Sequence, residues 1–209
     1  ITQATVSRSS IQKTYDGSTG TGNTKLMISG VNGERLGFSA ASYNSKDVSA
    51  NGSNYLTSLT LSNGINSGLA SNYQLPASLN VSNAAATINA ASLDISLTAN
   101  SKMYDGNTGV TFAANLIGRY DSDDVSVDLS KMSGHFATSA VGSGIAITLD
   151  SAGNALQGNA AGNYVVRNVS LANSSASITG STQLTIDSAG VTVLQTTLSN
   201  QNVQLSFNS

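Results

Sequence analysis

The chain has 209 residues, of which only 10% are charged and 5% aromatic, with a net charge of −2 and neither Cys nor Trp. Disulfide frameworks and thiolate metal sites are excluded, nine scattered Lys and Arg side chains make no basic stripe for nucleic acid, and no stretch approaches the roughly 20 apolar residues that insertion in a membrane needs. His135 is the only histidine, so the chain holds no His-based metal site or charge-relay pair.

The apolar residues alternate with period 2 from one end to the other, and helical period is nearly absent. In chain order, Leu26 and Ile28 predict one strand face, and Leu59 and Leu61 a second. Leu93, Ile95 and Leu97 predict a longer strand. Val125, Val127 and Leu129 follow, then Ile145, Ile147 and Leu149, then Val169 and Leu171. Gly, Asn, Ser and Asp clusters separate these segments, and such residues accept positive φ or bond their own backbone, which marks turns. Short strands at this spacing predict an all-β fold, a sandwich or small barrel. Past residue 180, Leu184 and Ile186 predict a strand, Val193, Leu194 and Leu198 one helical turn, and Val203, Leu205 and Phe207 a last strand.

One segment occurs twice. Lys13, Tyr15, Asp16, Gly17, Thr19 and Gly20 return as Lys102, Tyr104, Asp105, Gly106, Thr108 and Gly109, 89 residues later. Asn72-Tyr73 returns as Asn163-Tyr164 after 91 residues, and Ala86 with Ile88 as Ala176 with Ile178 after 90. Three landmarks at one period predict two tandem domains, 1–90 and 91–180, followed by the start of a further β module at 181–209. The boundary falls at Ala90-Ala91. So short a link restricts bending and predicts an elongated pair. Tyr15 and Tyr104 are expected at equivalent core positions, as are Tyr73 and Tyr164, Ile88 and Ile178, and Tyr43 and Phe136.

These residues resemble the YDG domain, a bacterial Ig-like stalk module of large surface adhesins. The Lys-x-Tyr-Asp-Gly-x-Thr segment, the Asn-Tyr pair and the closing Ala-x-Ile carry the resemblance over roughly residues 3–180. The second copy is the more typical, with Gly118, Asp123, Asp124, Val125, Phe136, Val141 and Gly142. The first copy departs with Glu34, Leu36 and Ser71. The resemblance implies two tandem Ig-like β-sandwich domains from a Gram-negative cell-surface or secreted adhesin of the two-partner secretion type. Such a protein supports cell adhesion or biofilm formation. Its host or matrix receptor or glycan is met through the parent adhesin. The tail resembles a first rung of the β-helical repeats in haemagglutinin-like exoproteins, which leaves an uncovered apolar face for self-association through 181–209.

The candidate sites are few. In each Tyr-Asp-Gly, Asp is expected to accept backbone N–H bonds, Gly to take positive φ and Tyr to cover the core edge. Lys13 and Lys102 can pair with nearby carboxylates, and an exposed pair of this kind contributes about 0–1 kcal/mol. Asp121, Asp123, Asp124 and Asp128 form the one acidic cluster, the residue type a calcium ion uses, although the spacing is not that of an EF-hand and a solvated hairpin turn is the preferred reading over a calcium site. Asn51, Asn80, Asn168 and Asn173 stand in Asn-x-Ser/Thr patterns. No nucleophile elbow or acid–base constellation stands out. The two readings are a structural spacer without enzyme activity or cofactor, and a glycan- or ligand-binding module, with or without calcium, whose surface is the acidic loop of the second copy and exposed Tyr side chains.

Overall fold

The computed structural model describes residues 3–5, 7–8, 11–120, 122–153, 155–180, 185–187 and 190–192. The protein is all-β. Its strands are β1 Ala4–Thr5, β2 Ser7–Arg8, β3 Ile11–Thr14, β4 Ile28–Ser29, β5 Arg35–Tyr43, β6 Leu56–Ser62, β7 Tyr73–Gln74, β8 Ala86–Asn89, β9 Ala91–Ala99 and β10 Lys102–Met103. They continue with β11 Phe112–Ile117, β12 Ser126–Val127, β13 Met132–Phe136, β14 Gly142–Ala152, β15 Leu156–Gln157, β16 Tyr164–Leu171, β17 Ser175–Thr179, β18 Thr185–Asp187 and β19 Gly190–Thr192. Among the described residues the only α-helix is α1, Val81–Ala84, whose cap is supplied by Asn80 and Asn83 bonding each other's backbone. No helix among them is long and apolar enough to cross a membrane.

The chain divides into two compact units. Unit 1 holds Ile1–Leu93 together with Gly118–Ser126 and Gln157–Arg167, and unit 2 holds Asp94–Ile117, Val127–Leu156 and Asn168–Ser209. Two segments of the second sequence repeat are thus counted with the first unit.

In unit 1 the main sheet runs β2-β4-β5-β6, antiparallel throughout, with Ile28 opposite Leu36 and Phe38 opposite Leu61. Ile28, Leu36 and Tyr73 form a buried cluster with Ala4, Leu26, Phe38, Leu59 and Leu61 packed on it. This is the burial that the period-2 pattern called for. β3 lies parallel to β8, pairing Lys13 with Ile88, and β1 parallel to β7.

Unit 2 repeats the device. β10 lies parallel to β17, pairing Lys102 with Ile178, in a sheet ordered β10-β17-β14-β13. β11 runs antiparallel to β9, from Phe112 opposite Ala99 to Ile117 opposite Asp94. Ile95 and Leu97 on β9 are fully buried, as are Phe136 and Ile178. At 125–129 the strand is shorter than its alternation predicts: only Ser126–Val127 pair, because Asp128 caps a 3₁₀ turn that carries Leu129 outward, 40% exposed. In the tail, Ile186 pairs with Val191 in a small hairpin. Leu184, the helical turn at 193–198 and the strand at Val203–Phe207 lie outside the described residues.

Candidate functional site: a carboxylate shared by two tyrosines

Both Lys-x-Tyr-Asp-Gly segments fold into the same turn. Asp16 Oδ1 accepts the backbone N–H of Ser18 at 3.0 Å and Asp105 Oδ1 that of Asn107 at 3.0 Å. Gly17 and Gly106 follow at φ 76° and 79°, where a Cβ is disfavoured. A lysine closes each turn: Lys13 Nζ lies 2.7 Å from Asp16, and Lys102 Nζ 2.8 Å from Asp105. The first of these is not the exposed pair the sequence led us to consider. Lys13 is fully buried, with its ammonium on the carbonyls of Ser18 and Gly20 and above the Tyr43 ring. Lys102 sits likewise above Phe136. Burial alone would raise the Asp16 pKa, but the Lys13 and Ser18 bonds outweigh it and hold the carboxyl below its usual value. At Asp105 the Lys102 bond lowers it.

The tyrosines differ. Tyr15 is 1% exposed and Tyr104 39%, so the expected equivalence holds for the turn and fails for the ring. The cause lies inside unit 1. Tyr15 Oη donates to Asp123 Oδ2 at 2.8 Å, and Tyr164 Oη donates to the same oxygen. The Tyr15 ring stands edge-on to Tyr164 and Tyr120, with centroids 5.4 and 5.9 Å away. Lys46 lies 3.7 Å from the other oxygen of Asp123 and over the Tyr15 ring.

Asn163 bridges the same region. Its amide donates to Asp47 Oδ1 and accepts from the Val48 N–H, both at 2.8 Å. The loop that presents Asp123 is fixed at Gly158 (φ 106°), where a Cβ would meet the Asp124 carbonyl oxygen at 2.5 Å.

Electrostatics follow from this geometry. Burial would raise the Asp123 pKa, yet the bonds from Tyr164 and Tyr15 and the Lys46 charge hold it below the usual carboxylate value. Burial, then the bond to Asp123, pushes both Tyr15 and Tyr164 well above the ordinary phenol value. The site is thus a buried carboxylate kept ionised by donors that are themselves kept neutral.

The other acidic residues turn elsewhere. Asp124 accepts the Asn159 N–H at 3.1 Å, and Asp128 the Ser130 N–H at 3.1 Å with Lys131 beside it. Asp121 lies outside the described residues. Among the described residues no three His, Cys, Asp or Glu side chains gather as metal ligands. His135 pairs with Asp150 at 2.8 Å on the solvent side of β13, opposite buried Phe136. Tyr73, the counterpart of Tyr164, donates to Glu34 Oε2 at 2.6 Å and receives the Val31 N–H at 2.8 Å. The bond to Glu34, then burial, raises its pKa.

Two functional asparagines escaped the sequence reading. Asn51 Oδ1 and Nδ2 bond the N–H and C=O of Ile88, each at 2.9 Å. Asn173 does the same to Ala99, at 2.7 and 3.1 Å. Both had stood out only as Asn-x-Ser patterns, and their amides are occupied by backbone.

The chain belongs to the YDG domain family, whose model matches residues 2–81 and again 87–173. No curated protein and no solved structure matches it.

Proposed function

We propose that the chain is a structural spacer of a bacterial cell-surface or secreted adhesin, built from YDG-type Ig-like sandwich repeats and without enzymatic activity. The supporting observation is that Asp123 and the two tyrosines bonded to it, Tyr15 and Tyr164, are consumed inside the fold. A buried ionised group with its donors in place stiffens a structure but offers nothing to a substrate. Export from a Gram-negative cell by two-partner secretion, and a role in adhesion or biofilm formation, belong to this reading. They rest on the family resemblance. The test is replacement in the parent protein: exchanging residues 11–180 for an unrelated folded spacer should retain adhesion. Loss of adhesion with surface display intact would refute the spacer role.

A second reading has its own observation. Unit 1 contains an open polar cavity of about 390 Å³ lined by Lys46, Asp47, Ser49, Ser122, Asp124 and Asn159, among others. Charged and amide groups around a concavity suit a glycan or a small polar ligand. Saturable glycan-array binding that Asp47→Ala abolishes would favour it over the spacer.

A further inference from the structure

We propose that the Tyr104 turn of one molecule docks head to tail onto the Glu34–Tyr73 pair of a second copy of this chain. The contact would reproduce the lock that Tyr15 makes with Asp123 and Tyr164. It does not depend on the spacer role.

Each half of that lock occurs twice in the chain. In the receiving half, a backbone N–H donates to a tyrosine hydroxyl, which donates to a carboxylate. Tyr120, Tyr164 and Asp123 form one such set. Val31, Tyr73 and Glu34 form the other, at positions 89 or 91 residues earlier. Asp123 also accepts Tyr15. Among the described residues, no second phenol reaches Glu34. In the donating half, Tyr15 and Tyr104 leave identical Asp-Gly turns, yet Tyr15 is 1% exposed and Tyr104 39%, with Met103 beside it at 61%. An exposed phenol with an apolar neighbour complements a carboxylate that holds one phenol where its counterpart holds two.

The match is imperfect on the donating side. Ser139 and Ala140 stand, counted from Phe136, where Lys46 and Asp47 stand counted from Tyr43. The intermolecular contact therefore lacks the Lys46 charge and the Asp47–Asn163 bond, and it is weak. It joins unlike surfaces, so a copy bound through one still carries the other, and the rotation between copies decides whether rings or open chains result.

The test uses the intact, isotope-labelled chain from about 0.02 to about 1 mM, the range in which a small, weak contact populates. Amide resonances of 31–34 and 103–106 should shift together with concentration, and sedimentation should show growing mass. Tyr104→Phe, which keeps the ring and loses the donor, should weaken association about tenfold or more. Tyr104→Ala should abolish it, its dilute spectrum confirming the fold. No shifts at the highest concentration would overturn the proposal. So would association through other residues, 181–209 included, or association that Tyr104→Ala leaves unchanged.

Discussion

Asp123 is the residue on which the site depends, because it is 5% exposed and its carboxylate serves two phenols and a lysine. Removing one donor should be felt directly. Tyr15→Phe keeps the ring packing and loses one charge-assisted bond, so it should cost about 1.5–3 kcal/mol in chemical denaturation. Tyr104→Phe should leave stability nearly unchanged, since its ring is half exposed. Equal losses in the two variants would show that the turn, not the shared carboxylate, carries the energy. pH adds an independent check. Asp123 has a lowered folded pKa, so its contribution is present above the unfolded value and is lost as pH falls through and below about 4. Tyr15 and Tyr164 have raised folded values, so their contribution is complete below the ordinary phenol value and fades as pH climbs past about 10. The melting temperature should form a plateau with both edges. Tyr15→Phe should blunt the alkaline edge, and an unaltered edge would contradict this assignment.

At the scale of elements, asparagine amides hold two strands from outside them, β8 of the parallel pair β3–β8 and the end of β9. Asn51 clamps both backbone groups of Ile88, and Asn173 those of Ala99. Asn51→Ala strands an N–H beside a fully buried residue and should cost about 1–3 kcal/mol. Hydrogen exchange at Ile88 should quicken with it, and an Ile88 amide as slow as before would disprove the clamp. These elements also show what the sequence made legible. Alternation located β9 and β14 because Leu93, Ile95, Leu97 and Ile147 point one way into a core. The Asp-Gly turns were readable because their chemistry is local. Asn51 and Asn173 were not, because an amide bonding a strand 37 or 74 residues away leaves no periodic mark. Glu34 and Asp123 were legible only as matching positions, one a departure from the family's Asp and the other part of an acidic run, and only contact with Tyr73, Tyr15 and Tyr164 reveals what their carboxylates do.

At the scale of the whole molecule, the sequence repeat and the compact units divide the chain differently. The repeat and the family match both turn over near residues 81–91. By contacts, Gly118–Ser126 and Gln157–Arg167 count with unit 1. Those segments carry Tyr120, Asp123, Asn163 and Tyr164, and each bonds or packs against Tyr15 or the loop from Lys46 to Val48. By accepting Tyr15 and Tyr164 at once, Asp123 ties the two segments into the first unit. Residue-resolved hydrogen exchange on Tyr15→Ala tests it most directly. Truncating the buried ring costs about 3–5 kcal/mol. Amides of 122–125 and 160–164 should lose protection together with those around Tyr15, while those of Ile95–Ala99 and Phe112–Leu116 stay slow. Protection unchanged at 122–125 and 160–164 would contradict the account.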